Sequence, residues 1–172
     1  VFYTPEVATL LVMGGGRYPG YNSGERLLEY ERHLMELQMQ IESSFVGIAG
    51  VQDKPAIVFF DRAPMDVKAY VPPDIWRRLL ECLSVMESQL LRRYDAVLHL
   101  VTAAEGAEKF FTLENNKART ESPEQARATD RRILAAWSGH PNRVVIDNSF
   151  PNFEAKLDAV YAALVRALKM EK

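Results

Sequence analysis

The chain is poor in the features that would make its function easy to read. It holds a single cysteine, Cys82, in 172 residues; that excludes an intrachain disulfide framework and suits a reducing compartment. It has almost no charge excess, since 21 Lys plus Arg stand against 23 Asp plus Glu for a net −2. That balance argues against a general nucleic-acid binder, so no DNA partner is expected. No apolar run approaches the roughly 20 residues of a membrane span. No cationic stretch with an apolar core opens the chain, so no signal peptide is expected and the cytoplasm is the default compartment. His33, His99 and His140 are scattered, without metal-ligand spacing. Gly14-Gly15-Gly16-Arg17 shares only its glycine count with a phosphate loop, because the Gly-Lys-Ser/Thr ending whose lysine and hydroxyl do the work is missing.

What is present is 48% hydrophobic and 26% charged, enough for one globular domain with a sizeable core. Short apolar runs alternate with longer amphipathic segments. Strands are expected at Val1–Thr4, Ala56–Phe60, Ala96–Val101 and Val144–Ile146. Pro5–Met13 reads as a short helix or turn leading into a mobile glycine loop. Leu27, Tyr30, Leu34, Leu37, Ile41 and Phe45 recur at spacings of three and four, which predicts a helix from Ser23 to Phe45 with Ser23 as its cap and Gly47 and Gly50 as breakers. Pro72-Pro73-Asp74 opens a second long helix with Ile75, Leu79, Leu83, Met86 and Leu90 as its stripe. Ala104 to Glu121 reads mainly as a loop. Ser122-Pro123-Glu124-Gln125 is a helix start with a cap, a proline in the first turn and a capping box. Phe153, Leu157, Val160, Tyr161, Leu164 and Leu168 mark the last helix. The alternation implies an α/β domain with a mostly parallel sheet and right-handed crossovers.

Ligands of open parallel sheets bind outside the carboxyl ends of the strands. The residues just past each run are Glu6; then Asp61 and Arg62, with Asp66 and Lys68 close behind; then Thr102; then Asp147, Asn148 and Ser149. Ile57-Val58-Phe59-Phe60-Asp61 is the Walker B arrangement, an apolar strand holding a carboxylate where it can orient Mg²⁺ beside a phosphate. Arg62 adds a phosphate-facing cation; the plainer alternative is a structural ion pair with a neighbouring helix. Arg119, Arg127, Arg131 and Arg132 surround the polar loop and the helix after it, where guanidinium groups can close over a polyphosphate. Their plainer reading is a solvated face pairing with Glu121, Glu124 and Asp130. His99 is expected to be a hydrogen-bonded core residue, Cys82 to have no catalytic role, and Trp76 and Trp137 to pack.

The segments FYTPEVATLLVMGGG, FFDRAPMDVKAY, RYDAVLHLVTAAEGAEKFFTLENNKARTESPEQARATD, AWSGHPNRVVIDNS and FEAKLDAVYAALV, in this order, resemble the NadR-like AAA-type ATPase domain, also the N-terminal domain of the TRPL translocation defect protein 14 family. The resemblance implies a three-layer P-loop nucleoside-triphosphatase fold close to the nucleotide and nucleoside kinases, with ATP or GTP and Mg²⁺ as ligands. It implies catalytic roles for Glu6, Asp61, Arg62 and Arg119, with Asp61 also the metal ligand. Arg127 and Arg131 become nucleotide-binding lid arginines, and Asn148 falls where such folds contact the base. The family's first strand and its G-x-x-x-x-G-K-[S/T] loop, within a βαβ unit of about 30 residues, are absent from these 172 residues. They are expected to precede Val1, which is not Met and opens directly into an apolar run, the alternative being a native chain that has lost the loop; an organellar address is open if an upstream segment carries one.

The leading functional expectation is a Mg²⁺-dependent nucleotide-binding domain, hydrolysing or transferring the terminal phosphoryl group. The alternative is a non-catalytic module that scaffolds a larger protein assembly with a vestigial nucleotide site. A third reading is a kinase of a nucleoside-like or ribosyl substrate, in which a carboxylate takes the hydroxyl proton.

Overall fold

The strands pair two by two, and each pair is parallel. The structure, a computed structural model, describes residues 1–111 and 122–168. Its contacts divide the chain into two compact units, Val1–Glu87 and Ser88–Lys172. The first holds β1 (Phe2–Thr4), α1 (Val7–Met13), α2 (Glu25–Gly50), β2 (Val58–Phe60), a 3₁₀ helix at Pro64–Ala69 and α3 (Pro73–Cys82). Helix α4 (Glu87–Leu91) spans the division. The second holds β3 (Val97–Leu100), a 3₁₀ turn at Glu108–Phe110, α5 (Pro123–Ala136), β4 (Arg143–Ile146) and α6 (Phe153–Ala167). β1 runs parallel to β2 with Thr4 opposite Phe60, and β3 parallel to β4 with Leu100 opposite Ile146. Among the described residues the strands thus form two two-stranded sheets. None of the described helices is long and apolar enough to cross a membrane.

In the first unit α2 packs on both strands, with the Phe2 and Phe45 rings edge to face at 6.5 Å. Leu27, Leu28, Met35, Met65, Ile75, Trp76 and Leu79 make the buried core. Expectation and structure part in several places. The expected stripe of α2 is only half-buried beyond Leu27, and Leu37 is 38% exposed. The innermost line is Leu27, Leu28, Glu31, Met35, Gln38 and Glu42, which keeps the helical period but places three polar side chains inside. Ser23 does not cap α2: its hydroxyl donates to the Gly20 carbonyl, and Gly24, with φ 58, takes the cap position. Gly47 and Gly50 lie within α2 instead of ending it. The expected second helix breaks after Cys82 where Ser84 turns left-handed (φ 52), leaving α3 and the short α4. β2 is half-buried, where the apolar run suggested burial on both faces.

The glycine triplet is a helix cap. Gly15 N–H donates to Val12 O and Gly16 N–H to Leu11 O, with Gly15 at φ 93; this is the Schellman pattern, which ties up the last carbonyls of α1. A Cβ at Gly16 would lie 2.8 Å from the Leu11 carbonyl oxygen.

In the second unit α6 packs on β4 and β3. The α5 start matches expectation: Gln125 N–H donates to Ser122 Oγ and Ser122 N–H to Gln125 Oε1. Asn152, unremarked in the sequence, caps α6 by accepting from Ala155 N–H at 2.8 Å. Phe153, Leu157 and Tyr161 are largely exposed along α6, while Lys156 and Ala163 are buried. Trp76 and Trp137 are buried, and Cys82 is free and exposed.

Two stability predictions follow from α1 and α2. Gly16→Ala should cost about 1–3 kcal/mol, because the new methyl meets backbone. Gly47→Ala, in an exposed helix interior with nothing within 4 Å of the added Cβ, should gain about 0.5–1 kcal/mol. Urea unfolding of the two variants checks both signs.

Burial raises the Glu31 carboxyl from its ordinary 4.5 to about 7. Below pH 4.5 the group is neutral in both folded and unfolded chains. Between pH 4.5 and 7 the unfolded chain ionises while the folded one keeps its proton, so stability falls as pH rises, by about 3 kcal/mol in all. Glu31→Gln should flatten that decline and exceed the wild type at pH 8, read from urea midpoints across pH.

Candidate functional site

The parallel register of β1 and β2 brings Glu6, Asp61 and Arg62 to one end of the first unit. Both strands finish together, Thr4 beside Phe60, so the residues that follow meet. Pro5 turns the chain, and Glu6 occupies the N-cap position of α1, where the Thr9 hydroxyl donates to its Oε2. Its Oε1 lies 3.6 Å from Arg62 Nε, an ion pair. Arg62 keeps 41% of its side-chain surface exposed. Partial burial works against its charge, but Tyr70, Asp66, Glu6 and Asp61 together outweigh it and hold the guanidinium pKa above its ordinary value. Asp61 is exposed and accepts a hydrogen bond at Oδ2 from the Tyr3 hydroxyl at 3.0 Å. That bond, and then the Asp61 charge, raise the Tyr3 phenol pKa above its ordinary range. Tyr3 and Asp61 share the sheet face opposite Phe2 and Thr4, as strand alternation requires. Thr4 is fully buried, and its hydroxyl lacks a hydrogen-bond partner among the described residues.

Asp66 and Lys68 have other duties. Asp66 Oδ2 accepts from Ala63 N–H at 2.9 Å at the start of the 3₁₀ helix. Lys68 Nζ pairs with Glu87 at 2.6 Å, and Glu87 also accepts from the Trp76 indole.

In the second unit the ends of β3 and β4 are joined by side chains. Asn148 Nδ2 faces the carbonyls of Val101, Thr102 and Glu105 at 3.3, 2.8 and 2.7 Å, and its Oδ1 accepts from Lys156 Nζ at 2.5 Å. Burial pulls the Lys156 pKa down against the charges of Asp147 and Asp130. Asp130 on α5 accepts from Thr102 N–H at 3.0 Å and contacts His99 Nε2 at 3.2 Å, so His99 is the bonded core residue expected. Asp147 closes a local turn on Ser149 N–H and hydroxyl, which holds its carboxyl below the ordinary range.

Of the expected lid arginines, Arg127 donates to Ala104 O at 2.7 Å and pairs with Glu124, while Arg131 stands 3.6 Å from Glu105 with 70% of its side chain exposed. Arg132 donates to Thr129 Oγ1. Arg119 lies outside the described residues. The structure therefore gathers Glu6, Asp61 and Arg62 in one unit, and Arg127, Arg131 and Asn148 around the strand ends of the other. A base contact by Asn148 would need one of its present bonds released.

A concavity of about 520 Å³ in the second unit includes Tyr94, Asp95, Pro141 and Asn142 in its lining. These residues precede β3 and β4, so it opens at the amino ends of the strands, opposite the end where parallel sheets bind ligands. Among the described residues no group of three or more His, Cys, Asp or Glu could cage a metal ion. Asp61 suits the other kind of site, in which Mg²⁺ takes one or two protein carboxylates and completes its shell with phosphate oxygens and water.

Sequence reading missed Tyr3, Gln38 and Lys156. Tyr3 carried a signal in hindsight, since it shares with Asp61 the outward parity of two paired strands. Gln38 and Lys156 sit on amphipathic helices and carried none.

Short parallel strands joined through helices, with charged groups at their carboxyl ends, fit a P-loop-like α/β fold. The AAA domain family model matches residues 1–156, and the chain belongs to that family: it is an AAA-type, P-loop NTPase-like domain. No curated protein and no solved structure gives a significant match. Membership carries a nucleotide-binding, P-loop NTPase-like function.

The Tyr3 contact gives a spectroscopic check of this strand end. Asp61→Asn should bring the Tyr3 phenol pKa down toward the ordinary tyrosine range, followed by ¹³Cζ NMR of labelled tyrosine; an unmoved titration would place the two side chains apart.

Proposed function

We propose that this domain binds ATP or GTP with Mg²⁺ and takes part in hydrolysis or transfer of the terminal phosphoryl group. The observation that carries the reading is the meeting of Glu6, Asp61 and Arg62 at the carboxyl end of a parallel strand pair. In it Asp61 is the metal-facing carboxylate, exposed and steered by Tyr3. Arg62 is the phosphate-facing cation, kept charged by its acidic neighbours. Glu6, fixed by Thr9 and Arg62, is placed to accept a proton from a hydroxyl or water. Arg127 and Arg131, with Arg119, act as phosphate-facing cations on and before α5, and Asn148 belongs to the nucleotide-binding set. The NadR-like affinity, the kinase-like chemistry and the full three-layer P-loop arrangement are parts of this reading. Magnesium would supply charge neutralisation to the phosphates; the chain's own groups orient them and handle the proton.

The family loop that grips phosphate through backbone N–H groups and a lysine is not among these 172 residues, so on this reading they bind nucleotide weakly by themselves. In a chain carrying that loop upstream, Asp61→Asn should lower Mg-ATP or Mg-GTP turnover about 100-fold or more, measured by phosphate release. Unchanged turnover would reject a metal-organising role for Asp61. Absence of turnover and of nucleotide binding by calorimetry, in a folded protein with the loop present, would favour the scaffold reading.

A further inference from the structure

The peptide between Arg62 and Ala63 is gripped from both sides. Arg62 has a left-handed backbone, φ 70, a conformation that residues with a Cβ hold only where their surroundings impose it. Its carbonyl accepts from Gln38 Nε2 at 3.2 Å. The N–H of the same peptide plane, that of Ala63, donates to Asp66 Oδ2 at 2.9 Å. Both gripping side chains are buried, Gln38 at 2% and Asp66 at 8% exposure. Gln38 is itself braced, because its amide nitrogen also donates to Glu42 Oε1 at 2.9 Å one turn further along α2. Rotation of that plane would break both bonds, each made to a buried side chain.

The direction in which a side chain leaves its Cα depends on the backbone on either side of it. We propose that Gln38 and Asp66 are positioning residues: they lock the Arg62–Ala63 peptide and thereby hold the Arg62 guanidinium beside Glu6 and Asp61. The proposal rests on the reading of Arg62 as the working cation of this strand end. It also accounts for Gln38 and its brace Glu42 on the innermost line of α2, where apolar residues would pack without loss of solvation.

The test is NMR of the ¹⁵N,¹³C-labelled chain. In the wild type the Arg62 signals should show the strong intraresidue HN–Hα cross-peak and carbon shifts of a left-handed residue. Exchange of the Ala63 amide should be slowed about a hundredfold or more relative to free peptide. Gln38→Met keeps length and volume but removes the donor, and Asp66→Ala removes the acceptor. Each should shift the Arg62 ψ and Ala63 φ, read from the Arg62 carbon shifts and the Ala63 HN–Hα coupling, and unprotect the Ala63 amide, whereas Asp66→Asn, which still offers an acceptor, should keep the wild-type values. The double variant should change Arg62 no further, because both bonds act on one plane. Arg62 ψ and Ala63 φ that stay at their wild-type values in either single variant overturn the proposal. So does an unprotected Ala63 amide in the wild type, a measurement that needs no variant to fold. These spectra do not depend on nucleotide, so failure of the nucleotide reading would leave them unmoved and the two would be told apart.

Discussion

The parallel pairing of β1 with β2, in the register that sets Thr4 beside Phe60, is the constraint on which the first unit's chemistry rests. Parallel strands end on the same side, so whatever follows them is delivered to one rim. Here that delivers Glu6 on one side and Asp61 with Arg62 on the other. A slip of one residue would exchange the faces of the strand, parting Tyr3 from Asp61 and exposing Thr4. The packing of α2 against both strands, with Phe45 against Phe2, opposes such a slip.

The same helix shows how a site is maintained at a cost to the core. A helix that packs on a sheet stabilises most when its inner line is apolar. α2 instead carries Glu31, Gln38 and Glu42 there. Gln38 has its partners, and the loss of solvation is met by hydrogen bonds. For Glu31 the loss is met by keeping the proton, which makes the unit's stability depend on pH near neutrality.

The second unit solves a different problem, how to keep two short strand ends together. Four-residue strands contribute few ladder bonds. Asn148, Asp130 and Lys156 supplement the ladder by bonding the backbone just beyond it. Lys156 is drawn into the structure along α6, which leaves Phe153, Leu157 and Tyr161 on the exposed side of that helix. Charged side chains that looked like free phosphate ligands are thus partly engaged: Arg127 with the Ala104 carbonyl, Arg131 with Glu105.

Local chemistry was legible in the residue order. The Ser122–Gln125 capping box, the strands at Val58–Phe60 and Val97–Leu100, and the placing of Glu6, Asp61 and Arg62 just past strand ends all follow from short-range patterns, because capping and strand alternation involve residues a few positions apart. The glycine triplet read as a mobile loop from residue order; its hydrogen bonds to Leu11 and Val12 make it a cap instead. Neither which face of α2 is innermost nor the break at Ser84 could be read from spacing, since each depends on what packs from elsewhere in the chain. The strand-end acids and cations were therefore decided by the sequence itself. Their partners were decided only by tertiary structure: Tyr3 for Asp61, Gln38 for the Arg62 carbonyl, Lys156 for Asn148. Register and helix rotation fix those contacts, and both are set by long-range burial that no local pattern encodes.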